Sequence, residues 1–170
     1  MKKMTKIGND GFSLVELMVV VALIVILGGV VATGVSLVAS RPADECAKKI
    51  QIALDGNRNT TMGKFSSSIT FSADADGVYM EEIINGVSEG KVKIGQSGVY
   101  VSYTTQKVGE ATTTITALSY APLTMSFDRA DGSLNDQGDG STYVTSISIS
   151  RGDRSFKITI DRLTGRVGLE

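Results

Sequence analysis

The sequence predicts an α+β protein: one long N-terminal helix, a transmembrane half followed by an amphipathic half, packed on a mostly antiparallel β-sheet domain. Three observations predict it. An almost unbroken apolar run fills residues 12–39. Apolar positions at three- and four-residue spacing follow within 40–62. Beyond residue 63 the pattern changes to short alternating segments separated by Gly, Asp and Asn, which read as strands and turns of a globular β-rich domain over 63–170.

The first element is the apolar run. From Phe12 to Ala39 the only ionisable residue is Glu16. As a helix this run would reach roughly 40 Å, more than the roughly 30 Å hydrocarbon core of a bilayer. Lys2, Lys3 and Lys6 precede it with a single acid, Asp10, which favours a cytoplasmic N-terminus. A secretory signal peptide would carry its small-residue cleavage site after a shorter apolar run, whereas here the evident processing point, Gly11, comes before it. A carboxylate near the end of such a span costs on the order of 2 kcal/mol unless it reaches the interface or a partner. Gly28, Gly29 and Gly34 each lower helix propensity by about 1 kcal/mol relative to Ala, and equally permit close helix approach.

Ser40-Arg41-Pro42-Ala43-Asp44-Glu45 marks a junction, at which the long helix bends or a second helix begins. Cys46, Ala47, Ile50, Ala53 and Leu54 then form an apolar stripe between Lys48, Lys49, Gln51 and Asp55. This amphipathic continuation ends between Gly56 and Gly63, and its stripe is expected to carry the sheet. Cys46, the lone cysteine, is either packed on that face or available for an intermolecular bridge; an intramolecular disulfide is impossible.

Strands follow. Ser68–Phe71 and Gly77–Met80 flank Ala73-Asp74-Ala75-Asp76 as a hairpin. Val87–Ile94 and Val99–Thr105 continue as short strands broken by Gly90, Gly95 and Gly98, then Ile115–Leu118 and Leu123–Phe127 with Pro122 between them. Arg129–Ser141 reads as a polar loop. Tyr143–Ser150 and Ser155–Asp161 alternate clearly, and a turn at Leu163-Thr164-Gly165 leads into Arg166–Leu169.

Composition limits function. The chain of 170 residues carries 17 basic and 18 acidic side chains; losing Lys2, Lys3, Lys6 and Asp10 with residues 1–11 would leave 14 and 17, a net −3. That balance does not draw the chain to nucleic acid or anionic membranes in bulk. Without histidine and with one cysteine, a His/Cys metal site is excluded. No nucleophile-and-base spacing or phosphate-cradling glycine loop is present, so no enzyme and no cofactor is expected.

Gly11-Phe12-Ser13-Leu14-Val15-Glu16, followed by the long apolar run, resembles the cleavage and methylation motif of type IV prepilins and type II secretion pseudopilins. The resemblance implies a type IV pilin-like fold and removal of a leader, residues 1–11, by a prepilin peptidase that cuts between Gly11 and Phe12. It further implies N-methylation of Phe12 by the associated methyltransferase, and a role for Glu16 in assembly. The implied partners are the lipid bilayer before assembly, an inner-membrane assembly platform, and other pilin or pseudopilin subunits. Residues 12–39 would form the filament-core helix. The chain would be a single-pass membrane protein first and an extracellular or periplasmic filament subunit afterwards. Many major pilins of this family carry a proline near the position of Thr33, so any bend here would rest on the glycines.

The C-terminal stretches Phe127-Asp128-Arg129-Ala130-Asp131-Gly132 and Phe156–Val167, closing on Gly165-Arg166, resemble GspH/FimT-type minor pilins and pseudopilins. Two clusters carry further expectations. Asp128, Asp131, Asp136 and Asp139 supply oxygen donors of the kind calcium takes, and major pseudopilins bind calcium in such loops, although Asp and Gly equally serve turns. Arg151, Arg154, Lys157, Arg162 and Arg166 point to the alternative function, a DNA-binding FimT-like minor pilin acting in DNA uptake. The matching motif there is Gly-Arg-x-Arg. Here it reads Gly165-Arg166-Val167-Gly168, without the second arginine, and solvated strand faces account for the charges as well.

Overall fold

The computed structural model describes residues 13–63 and 65–170, with side chains described outside 26–40. The expected cleavage pair Gly11–Phe12 lies outside the described residues, and the expectations placed on Gly28, Gly29, Thr33 and Gly34 fall in the stretch whose side chains are not described. The chain divides between Val38 and Ala39 into two compact units.

Helix α1 spans Leu14–Met62. Pro42 lies inside it, so no second helix starts at the junction. Asp44 does not cap a helix; its carboxylate accepts from Lys48 Nζ at 2.8 Å, one turn further on. In the first unit, the ten large apolar side chains between Leu14 and Val25 are all exposed, from 48% at Val20 to 76% at Leu14. An apolar stretch exposed all round has no partner among the described residues of its own unit. Among the described residues no helix is long and apolar enough to cross a membrane.

In the second unit, the helix supplies Ala43, Cys46, Ala47, Ile50 and Leu54, all fully buried, to one hydrophobic core. The spacing of these residues is that of one helical face. The other side of that core comes from two antiparallel sheets, where one sheet was expected. The first joins β1 (Ser67–Ala73), β2 (Gly77–Ile84), β3 (Val87–Gln96) and β6 (Leu123–Ser126) in the order β3-β2-β1-β6. The second joins β4 (Tyr100–Lys107), β5 (Thr113–Ala117), β7 (Thr142–Arg151), β8 (Arg154–Ile160) and β9 (Val167–Leu169) in the order β5-β4-β7-β8-β9. Phe71, Ile69 and Met125 from the first sheet and Ile147, Ile149 and Ile158 from the second are buried in that core, as strand alternation requires.

Gly90 does not break β3. It takes φ +95° within the strand, near one of two register shifts against β2, so a glycine expected to end a strand instead sits at an irregular stretch of one. Gly95 is a close approach: a Cβ there would stand 2.9 Å from both Cys46 Sγ and Val78 Cβ, and the glycine is what admits the thiol to the core.

Candidate functional site

The N-terminal candidate begins where the helix begins. Ser13 precedes the first helical residue, and its hydroxyl accepts from the Val15 amide at 3.3 Å while its carbonyl accepts from Leu17 at 3.1 Å. That is N-cap geometry, and it satisfies one of the amides a helix start leaves open. Glu16 stands in the first turn and is exposed. A carboxylate there is favoured by the positive end of the helix dipole. The sequence Ser13-x-x-Glu16 thus has two local duties, capping and charge compensation, beside those implied by the family resemblance.

The aspartates of the polar loop are engaged with backbone. Asp128 accepts from Ala130, Asp131 from Ser133, Asp136 from Gly138 and Gly140, and Asp139 from Ser141 and Thr142, all through Oδ1. Asp139 Oδ2 also takes the Thr142 hydroxyl at 2.6 Å. Hydrogen bonds from Thr142, then Ser141, hold the Asp139 carboxyl well below the usual range, and those from Ser133 do the same for Asp131. Among the described residues no group of three or more acidic or thiol side chains is arranged to hold a metal ion.

The five basic residues do not converge. Arg151 and Arg154 face each other across the β7–β8 turn, Lys157 lies mid-strand opposite Ser148, and Arg162 and Arg166 lie beyond the far end of β8. At about 3.3 Å per residue, the strand separates the two ends by about 20 Å. Arg162 is also occupied, its guanidinium lying 4.9 Å from the centre of the Tyr143 ring.

The two C-terminal stretches that resemble minor pilins meet in space. Leu134 donates to the Arg162 carbonyl at 2.9 Å, and Arg58 Nε, from the last turns of α1, donates to the Gly132 carbonyl at 3.0 Å. Gly165, buried at φ +62°, packs directly on that same carbonyl. A Cβ at Gly165 would collide with it. These two glycines therefore form a joint between the β6–β7 loop, the β8–β9 turn and the helix end. Asp161 shapes the turn from beneath, accepting from Leu163 and Thr164 at 2.9 Å each.

One polar cluster escaped sequence reasoning. Asn57 is fully buried, and its amide donates to Ser67 Oγ at 2.6 Å and to Glu82 Oε1 at 3.1 Å. The signal was an Asn three residues after Leu54, on the apolar stripe where a hydrophobic residue would continue the pattern.

Residues 8–32 match the family described as the prokaryotic N-terminal methylation motif. The match supports the type IV prepilin and pseudopilin resemblance drawn from Gly11–Glu16, a family of structural subunits. No curated protein and no solved structure matches the chain.

Proposed function

We propose that the chain is a structural subunit of a type IV pilus or type II secretion-type filament, cleaved between Gly11 and Phe12, N-methylated on Phe12 and assembled through its N-terminal helix. The observation that carries this reading is the methylation motif over residues 8–32. The capped helix start at Ser13 and the all-round exposed apolar surface from Leu14 to Val25 are consistent with it. That surface needs lipid before assembly and neighbouring helices after it, and because both are apolar the exchange is nearly neutral.

Specificity must then come from polar groups. Cleavage would leave a cationic amine on Phe12, one residue before the N-cap, at the end of the helix dipole where a positive charge is disfavoured. Glu16, in the first turn, answers that charge on its own chain or on a neighbour. In a low-dielectric bundle, leaving either charge unpaired costs several kcal/mol, so the pair selects the stagger between subunits even where it adds little net stability.

The finer reading is a minor subunit of the GspH/FimT type, supported by the two C-terminal stretches that resemble that group. The DNA-binding alternative is the weaker one, because Arg151 and Arg154 stand about 20 Å from Arg162 and Arg166 and phosphate affinity grows with the number of cations that converge.

Intact mass and N-terminal sequencing of the membrane-extracted and sheared-filament fractions test the proposal. A chain beginning at methylated Phe12 and present in the sheared fraction is expected. A chain still beginning at Met1 and absent from filaments, in a host whose prepilin peptidase is active, would overturn it.

A further inference from the structure

Where α1 ends, its last turn, the start of β1 and the β6–β7 loop line a cavity of about 420 Å³. That lies within the roughly 300–1,000 Å³ usual for small-molecule sites. Its walls are polar and partly buried: Thr61 and Ser67, 4% and 5% exposed, share the lining with Ser126 and Asn135. Asp128 and Arg129 stand side by side in the same lining, so their opposite charges together favour an ion of neither sign. Phe65, 51% exposed, adds an aromatic ring.

The hydrogen bonds already made decide what these walls still offer. The Thr61 hydroxyl gives its proton to the Asn57 carbonyl at 3.0 Å, which leaves its oxygen lone pairs. Ser67 Oγ donates to Glu82 Oε1 at 3.1 Å and accepts the Asn57 side-chain amide at 2.6 Å, so it too keeps acceptor capacity alone. The buried Asn57 cluster therefore sets the sense of a hydroxyl in the cavity wall. Ser126 is the reverse: its Oγ accepts from Asn135 Nδ2 at 3.0 Å and keeps a proton to give. Asn135 adds an acceptor through Oδ1 and a donor through its second amide N–H, neither of them bonded among the described residues. An anion would meet the Thr61 and Ser67 lone pairs and the Asp128 carboxylate, and an ammonium would meet Arg129 and the Ser126 proton. The matching ligand is neutral, donates and accepts through the same groups, and has an apolar face for a ring. A saccharide, with hydroxyls at its rim and C–H groups on its faces, meets all three conditions.

We propose that this cavity is a binding site for a neutral saccharide, whose hydroxyls bond to Thr61, Ser67, Ser126 and Asn135 while a C–H face lies on the Phe65 ring. A site that takes one short sugar has few contacts to set against the cost of immobilising it, so a Kd on the order of 1 mM is expected.

Saturation-transfer NMR on the full chain, in a detergent without a sugar headgroup, tests this. It requires neither leader cleavage nor filament assembly, so its outcome stands apart from the function proposed above. The probes are methyl glucopyranoside, methyl galactopyranoside and methyl N-acetylglucosaminide, with acetate and methylammonium as the charged comparisons. Transfer to at least one glycoside and to neither ion is expected. Phe65→Ala removes the ring and Ser126→Ala the donor, and each should weaken glycoside binding about fivefold. Tyr120→Ala removes a more exposed ring (90%) that does not line the cavity, and should leave binding unchanged. No transfer to any of the three glycosides, equal transfer to either ion, or an equal loss in Tyr120→Ala would overturn the proposal. So would glycoside binding that persists undiminished in Phe65→Ala and Ser126→Ala chains with the circular dichroism of the parent.

Discussion

At the scale of single residues, Gly165 is the most constrained position in the C-terminal half. It combines a left-handed backbone with direct contact to the Gly132 carbonyl, which Arg58 also binds. Gly165→Ala adds a methyl where nothing yields except backbone, and the expected loss is about 2–4 kcal/mol, from overpacking and backbone strain together. Equilibrium unfolding in urea measures it, and a loss under 0.5 kcal/mol would show that the joint is slack. Asp139 makes a different prediction. Hydrogen bonds from Thr142 and Ser141 lower its carboxyl in the folded state from an ordinary value of 3.8. A depressed carboxylate contributes stability that is complete above the unfolded pKa and is lost as pH falls toward the folded one. Melting temperature should therefore decline as pH drops below about 4. Asp139→Asn should be less stable than the parent at neutral pH and show a shallower acid limb. Parallel acid limbs for the two proteins would remove Asp139 from that role.

At the scale of elements, the two halves of α1 obey different rules, and both were legible in the sequence because periodicity is local. The stripe of Cys46, Ala47, Ile50 and Leu54 announces a buried face, and strands such as β7 and β8 announce theirs by alternation. What the sequence withheld was pairing. Alternation says which side chains share a face but not which strand lies beside which. β6 therefore joins β1, with Phe71 opposite Leu123, across a gap of some fifty residues that no local pattern marks. The Arg58–Gly132 contact, 74 residues apart in sequence, was hidden for the same reason. The motif at Gly11–Glu16 was legible because its chemistry needs neighbours in sequence rather than in space. Its element-level prediction concerns Glu16. Glu16→Ala removes a carboxylate from the first turn, where Ser13 still caps the helix at a cost of only a few tenths of a kcal/mol to the dipole term. Membrane insertion and leader cleavage should persist while incorporation into sheared filaments falls. Normal incorporation of the alanine form would remove the role assigned to Glu16.

At the scale of the molecule, the described residues form one core, and the boundary at Val38/Ala39 leaves all of it on one side. No described side chain of the first unit belongs to it, and the helical residues from Ala43 to Leu54 contribute five fully buried ones. Two truncations separate the roles of the helix. A chain of residues 39–170 keeps every core side chain and should fold cooperatively, with a melt and β-sheet circular dichroism close to those of the parent domain, yet should not enter filaments. A chain of residues 63–170 loses Ala43, Cys46, Ala47, Ile50 and Leu54, and leaves Ser67 and Glu82 without Asn57. Ile50 and Leu54 alone would cost about 4–10 kcal/mol at the usual price of a buried aliphatic side chain, against a typical domain stability of about 5–15 kcal/mol. That shorter chain should be unfolded or aggregated at room temperature. If instead it melted cooperatively near the temperature of residues 39–170, the two sheets would be self-sufficient and the amphipathic half of α1 would be a tether rather than part of the fold. The expected result makes the same helix continuous with both tasks: its second half completes a core, and the first half is left free to find neighbours.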